Sequence, residues 1–150
     1  MTTATAGATP EFDLAPPLRT DDDVLRRVDL LLNEHARQLR TVVLLFLDGE
    51  GRQLPVVVPI DDVPERPDPL AVGNLCWIAV EALRHYPGGS VVIVLTRPES
   101  GPVSDADRYW AQNIYRAACE RGARIRMLCL ASTSSVVRLA ADGPRVTPER

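Results

Sequence analysis

The sequence predicts an α/β fold, with a single three-layer domain in which a mixed sheet of about five strands is flanked by helices. Two apolar runs, TVVLLFLD at 41–48 and SVVIVL at 90–95, lack the alternation of a half-exposed strand, so both faces of each strand should be buried. Segments with apolar residues at helical spacing separate these runs along the chain. A length of 150 residues fits one domain with one packed core.

The amino-acid composition indicates the limits of the domain and the expected location of the protein. The mixture of 45% hydrophobic and 25% charged residues is typical of a globular protein. Residues 1–19 are rich in Thr, Ala and Pro, with Phe12 and Leu14 as isolated apolar residues, and predict a flexible arm; residues 142–150 predict a flexible tail. The α/β domain is expected at 20–141. Without a long apolar run or a signal-like start, we expect a cytoplasmic protein that has no membrane partner.

The first predicted element is a helix at about 21–38. Thr20 and Asp23 have the spacing of a capping box, with Asp in place of the usual Glu. The residues that follow repeat at helical spacing and define one expected inner face, made of Val24, Leu25, Val28, Leu31, Leu32 and His35.

A hairpin and a second helix come next. The turn DGEG joins the run at 41–48 to LPVVVPI at 54–60, which predicts an antiparallel pair. After a loop with three prolines, Asp68 and Pro69 can open a helix with Pro at its first position. The Pro-Gly-Gly at 87–89 ends that helix, and its expected inner face is Val72, Leu75, Cys76, Ala79, Ala82 and Leu83.

The last part of the chain predicts a strand, a helix and two more strands. After SVVIVL, Ser104 caps a helix that Gly122 ends. IRMLCLA then predicts a fourth strand, and VVRLA a short fifth one. The buried side of the helix is expected to carry Trp110, Ile114, Ala117 and Ala118.

Charge and cysteine content exclude some function classes. A net charge of −3 gives no reason to expect a nucleic-acid partner. The densest basic stretch, which straddles a helix end, is expected to offset the helix dipole and consists of Arg116, Arg121, Arg124 and Arg126. Cys76, Cys119 and Cys129 lack CxxC spacing, so we expect buried thiols rather than disulfides or a metal site.

The inventory of reactive residues is small. His35 and His85 stand alone, without a second histidine or a cysteine at metal-ligand spacing. The motifs GxSxG and GxxxxGKS are absent. Asp105 and Asp107 lie in the first turn after Ser104, where the helix dipole favours acids by roughly 0.3 to 1 kcal/mol each. On that reasoning, Asp107→Ala is expected to cost roughly 1 kcal/mol or less.

Four segments resemble, in order, the JAB/MPN metallohydrolase fold and most closely the domain of bacterial RadC-like proteins. The segments are VVLLFLDGEGRQL, AVEAL, SVVIVLTRPESGPVSDAD and ARIRMLCLASTSSVVRL. They are similar to that family's opening hairpin, its following helix, its strand and metal-site loop, and its final strands. The resemblance spans Thr41 to Leu139 and implies a cytidine-deaminase-like architecture.

In that family the loop supplies zinc ligands as HxH followed by SxxD, with a Glu from an earlier strand as general base. Here the SxxD half is present as Ser104 and Asp107, whereas Thr96, Arg97 and Pro98 stand where HxH is expected. No acid lies near the expected Glu position, and the family's later Asp-His pair is replaced by Cys129 and Leu130. The degenerate loop, for which we expect no metal, no cofactor and no catalytic residue, comprises Thr96, Arg97, Pro98, Ser100, Gly101, Ser104 and Asp107.

The resemblance therefore implies a metal-free domain that acts as a protein-binding or assembly module. A single Asp cannot replace the three protein ligands of a catalytic zinc site. Arg97 would oppose a cation and is expected to pair with either Glu99 or Asp107. The partner is an unknown protein or a second copy of the chain, and the candidate surface is Trp77, Tyr109, Trp110 and Tyr115, unless these residues form a second buried face.

Two alternatives belong to other function classes. The first is a hydrolase that uses the same cleft without metal, with Cys129 as nucleophile or Asp107 as acid/base. The second is a small nucleotide-binding or anion-binding protein that holds an anion at the start of the Ser104 helix, near Arg97 and Arg108. The absence of a glycine-rich phosphate loop disfavours the second alternative.

Overall fold

The strands form one mixed sheet in a computed structural model that describes residues 16–140. Within these residues the order across the sheet is β2-β1-β3-β4-β5. The elements, in chain order, are α1 (Asp21–Leu31), α2 (Glu34–Arg37), β1 (Thr41–Leu47), β2 (Gln53–Ile60), α3 (Pro69–Ala82), β3 (Ser90–Thr96), α4 (Asp105–Arg121), β4 (Ile125–Ala131) and β5 (Val136–Arg138).

The two central strands are buried along their whole length, as their continuous apolar runs predict. Every residue of β1 and of β3 is buried. β1 runs antiparallel to both β2 and β3, whereas β3 runs parallel to β4 and β4 antiparallel to β5. The mixed, five-stranded sheet of the predicted α/β fold is confirmed.

Helices cover both faces of this sheet, so the domain has three layers. On one face, α3 and α4 pack over the side chains of Leu44, Phe46 and Ile93. On the other face, Val24 and Val28 of α1 pack over Val43, Leu45 and their neighbours in the central strands. Because adjacent residues of a strand point to opposite faces, each central strand contributes to both cores.

The predicted first helix is wrong in its extent. It ends at Leu31, because Leu32 adopts an extended backbone (φ −104°, ψ 108°). Asn33 then caps a separate one-turn helix, accepting a hydrogen bond from the Ala36 N–H at 2.8 Å. After this break His35 is exposed instead of lying on the inner face, and Arg37 is buried in its place.

Arg37 is held by the polar groups that the break leaves free. Its Nε donates to the Leu32 carbonyl at 3.1 Å, and its Nη2 donates to the carbonyl and carboxylate of Asp29 at 3.0 and 2.7 Å. A buried guanidinium is stable only where its N–H groups find acceptors, and the unwound end of α1 supplies them.

The starts of α1, α3 and α4 and the end of α4 follow the predicted capping signals, whereas α3 ends at Ala82, before the Pro-Gly-Gly at 87–89 that was predicted to end it. Capping boxes are present at Thr20 with Asp23 and at Ser104 with Asp107. Asp68 caps α3, which has Pro69 at its start. Gly122 ends α4 in the left-handed conformation (φ 74°), which glycine adopts without steric cost.

The arm predicted at residues 1–19 falls mostly outside the described residues, as do Phe12, Leu14 and the predicted tail at 142–150. The described part of the arm includes Leu18, which is buried and donates its N–H to the Gly51 carbonyl at 2.8 Å. Within residues 16–140, no helix has the length and apolar character required to cross a membrane.

Candidate functional site

The degenerate loop connects β3 to α4 at the carboxyl end of β3, where β1 begins and β4 ends. Thr96, the last residue of β3, donates its hydroxyl to the Leu39 carbonyl at 2.7 Å and accepts the Thr41 N–H at 3.1 Å. The Arg97 N–H donates to the Ala131 carbonyl at the end of β4. Backbone and hydroxyl groups thus fix the place where the loop starts.

A buried ion pair lies at the centre of this loop. The Arg97 Nε donates to the Asp107 Oδ2 at 3.0 Å, and the two side chains are only 5% and 4% exposed. The sequence left two possible ion-pair partners for Arg97, namely Glu99 and Asp107. The partner in the structure is Asp107. The Glu99 carboxylate instead pairs with Arg40 at 3.2 Å.

The two terminal nitrogens of Arg97 bind the loop backbone. Its Nη1 donates to the Glu99 carbonyl at 2.5 Å, and its Nη2 donates to the carbonyls of Pro102 and Gly101 at 2.9 and 3.3 Å. Each of the three guanidinium nitrogens therefore has an acceptor, as a buried charge requires. Arg97 determines the path of the loop by drawing these carbonyls around it.

Asp107 also starts the helix that follows the loop. Its Oδ2 accepts the Ser104 N–H at 2.8 Å, while its own N–H donates to the Ser104 Oγ at 3.1 Å. The oxygen that pairs with Arg97 is thus the one that closes the capping box. One carboxylate therefore joins the loop cation to the start of α4.

The other residues of the degenerate loop do not converge on this pair. Pro98, Ser100 and Gly101 are exposed, and Ser104 is exposed at the start of α4. Only Thr96, Arg97 and Asp107 are buried. These three residues therefore form the interior of the site.

The side chains at this position do not fit a metal ion. The Thr96 hydroxyl is bonded to two backbone groups, a guanidinium occupies the interior, and the Asp107 Oδ2 already accepts two hydrogen bonds. A catalytic metal site needs several deprotonated ligands and one position left open for water or substrate. Within residues 16–140, no three side chains of His, Cys, Asp or Glu are grouped so that they could hold a metal ion, and His35 and His85 are both exposed.

Cys129 lies in the interior of the sheet and lacks the character of a nucleophile. It is buried in β4, and burial raises the pKa of its thiol from 9.0 to about 12. A thiol is reactive as the thiolate, which this surrounding disfavours at neutral pH. Cys76 is likewise buried and its pKa is raised by burial, but Cys119 is exposed, so the expectation of three buried thiols is wrong for Cys119.

Arg97 and Arg108, the two cations of the anion-binding alternative, already have carboxylate partners. Arg97 binds Asp107, and the Arg108 Nη1 lies 2.9 Å from the Asp105 Oδ1. An anion at this helix start would have to compete with both carboxylates, so the geometry does not favour the anion-binding alternative at this position.

The four aromatic residues of the candidate partner surface separate into two pairs. Trp110 is only 5% exposed, and its Nε1 donates to the carbonyls of Pro64 and Glu65 at 3.2 and 2.9 Å. The half-buried Tyr115 donates its hydroxyl to the Leu139 carbonyl. These two are structural, which corrects their assignment to an exposed surface.

The other two aromatic residues are accessible, with Trp77 58% and Tyr109 45% exposed. The Arg66 guanidinium lies 5.7 Å from the centre of the Tyr109 ring, which leaves Trp77 the more open of the two. Sequence reasoning missed Leu70, which is also exposed on α3. Leu70 lies seven residues before Trp77, and this spacing in the sequence could have indicated that the two residues share a face of the helix.

Comparison of the chain with family models, with curated proteins and with solved structures found no match. Inference about function therefore starts from the contacts of the chain's own residues.

Asp107→Ala is predicted to destabilise the protein strongly, because it leaves the buried Arg97 without its counterion and removes the cap of α4. Removal of one partner from a buried pair costs about 3 to 5 kcal/mol. This replaces the smaller loss expected from the helix dipole alone. Chemical denaturation with urea, followed by circular dichroism, measures the change in the free energy of unfolding.

The matched control is the double variant Arg97→Met with Asp107→Leu, in which no buried charge remains unpaired. It should be more stable than Asp107→Ala alone, since a hydrophobic replacement of a whole buried pair is often tolerated. Asp105→Ala serves as a surface control, because the Asp105 side chain is fully exposed. A loss of stability for Asp107→Ala no larger than that for Asp105→Ala would contradict the role given to the pair.

The three thiols are predicted to react at different rates with a disulfide reagent at pH 8. Cys119 should react at once because it is exposed, whereas Cys76 and Cys129 should react only when the chain unfolds. Cys119→Ser is the control that removes the fast phase. Rapid modification of Cys129 in the folded protein would revive the hydrolase alternative.

Proposed function

We propose that the chain is a metal-free, non-catalytic domain of the JAB/MPN type, most similar to RadC-like proteins, and that it serves as a protein-binding or assembly module in the cytoplasm. The observation that carries this proposal is the buried pair of Arg97 and Asp107. In the family that the loop resembles, the retained Asp would face a metal ion. Here the same carboxylate faces a guanidinium.

The order of the elements supports the resemblance. The hairpin β1–β2, the helix α3, the strand β3 with its loop, and the strands β4–β5 occur where the four resembling segments place them. The loop lies between β3 and the helix that Ser104 caps. Each resembling segment thus corresponds to a helix, a strand or a hairpin of the described chain.

The electrostatics of the loop support the absence of metal chemistry. A fixed positive charge within hydrogen-bonding distance of the Asp107 carboxylate opposes a divalent cation at that carboxylate. A hydrolytic metal site also needs a bound water in an open position. The loop carbonyls and Asp107 surround Arg97 closely, so the pair itself fills the interior of the loop.

A helix face supports the binding role. Leu70 and Trp77 are seven residues apart on α3, so they share a face of the helix, and they are 78% and 58% exposed. Large apolar side chains that are exposed together are typical of protein interfaces, and Trp is enriched among residues that dominate binding energy. We propose a second copy of the chain as the partner of this face.

Purified protein is predicted to contain far less than one zinc ion per chain, because the loop offers no set of ligands. Elemental analysis after mild purification measures the content. Addition of a chelator, or of zinc, should leave the melting temperature unchanged, since a ligand that binds the folded state would raise it. Zinc at one equivalent per chain, lost together with stability on chelation, would refute the metal-free proposal.

The protein is predicted to self-associate through the α3 face. The variant Leu70→Ser with Trp77→Ser should fold normally, since both residues lie outside the core, but should remain monomeric. Sedimentation velocity over a wide range of protein concentrations separates the two states. Val137→Ser, an exposed apolar residue on β5, is the matched control and should behave as wild type. A wild-type chain that stays monomeric at all concentrations excludes the homodimer.

A further inference from the structure

A second concave region lies at the opposite end of the sheet from the degenerate loop. It is open to solvent, has a volume of about 300 Å³ and is bordered by the β1–β2 turn, the turn that precedes β3 and the start of β4. β3 begins here with Ser90 and ends with Thr96 at the loop, so roughly 20 Å separate the two regions. The contacts of Arg97 and Asp107 therefore do not account for this pocket.

Two arginines belong to one side of the pocket. Arg124, just before β4, and Arg126, at the start of β4, both line the pocket. Arg126 is largely covered and pairs with Asp21 at 2.8 Å. Arg124 is exposed and makes no salt bridge within the described part of the chain.

Part of the pocket wall has no side chains. Gly49, Gly51 and Gly88 line it, together with Ser90. Close packing of the turns requires glycine at position 49, since a Cβ there would lie 2.7 Å from the Pro87 carbonyl oxygen. A consequence of that packing is that a small ligand can reach backbone and a serine next to two cations.

Asp48 also lines the pocket, and its negative charge limits the affinity of the pocket for an anion. The Asp48 Oδ1 accepts the N–H groups of Glu50 and Arg52 at 2.9 and 3.0 Å, so this carboxylate serves the turn. Its negative charge nevertheless weakens the attraction of any anion. Removal of that charge is therefore a direct way to change anion binding without removing a cation.

We infer that this pocket binds a phosphate group, either as the free ion or as the monoester of a small molecule. Arginine suits this ligand, because its planar guanidinium forms paired hydrogen bonds to phosphate oxygens. Backbone and hydroxyl donors commonly complete such sites. The volume exceeds the space of a single phosphate, which leaves room for part of a carrier. This role is independent of the proposed binding function of α3.

The alternative role for Arg124 is to stabilise the end of α4, which it follows by three residues. That role affects stability and predicts no ligand. Measurements of binding and of unfolding therefore separate the two. Only the phosphate-binding role predicts that the effect of replacing Arg124 depends on the presence of phosphate.

The test is a titration of the full chain with inorganic phosphate and, separately, with ribose 5-phosphate, followed by amide NMR. Saturable shifts are expected for Gly49, Gly88 and Ser90, without comparable shifts in the loop at 97–104. Tighter binding of the sugar phosphate would identify a monoester as the ligand, and equal binding would identify the free ion. Shifts that do not saturate, or that are not confined to the pocket, would overturn the inference.

Three variants with a single charge change sharpen the test. Arg124→Gln should weaken phosphate binding about tenfold, as expected for loss of a charged hydrogen bond. Asp48→Asn keeps an acceptor for the turn but removes the opposing charge, so binding should tighten about two- to threefold. Arg116→Gln, on α4 and away from the pocket, is the control for net charge. An equal loss for the variants at 116 and 124 would overturn the inference, because general electrostatics would then explain binding.

Discussion

Burial of a single guanidinium is the constraint on which the β3–α4 connection depends. Arg97 follows a strand that is buried on both faces, so its side chain enters a region without water to solvate it. Such a charge is tolerated only if its nitrogens find acceptors and a counterion is close. Three loop carbonyls and Asp107 meet that requirement, and in doing so they fix the shape of the loop.

The same requirement explains why one carboxylate has two roles. The Asp107 Oδ2 accepts the Ser104 N–H and the Arg97 Nε together, so the start of α4 and the path of the loop form one unit. A site that must bind a metal keeps its carboxylate lone pairs directed at an open position. In a site that fixes a loop, the carboxylate lone pairs instead accept hydrogen bonds from neighbouring N–H groups. The Asp107 carboxylate is used in this way.

The sequence predicted the fold more fully than the site, and the difference is physical. Continuous apolar runs and caps depend on neighbouring residues, so β1, β3 and the start of α4 were predicted closely. The break at Leu32 was missed because apolar spacing continues across it, although Asn33 is a good N-cap. The partner of Arg97 depends on three-dimensional packing: Arg40, distant in sequence, binds Glu99 and leaves Asp107 for Arg97.

The edges of the sheet limit how the domain can associate. Among the described strands β2 and β5 are the outer ones, and an outer strand can add a strand of a partner only through a row of free N–H and C=O groups. β2 has prolines at positions 55 and 59, which provide no N–H, and β5 has only three residues. Strand addition is therefore disfavoured at both edges of the described sheet, whereas exposed side chains of a helix face, such as that of Trp77, are accessible for contact.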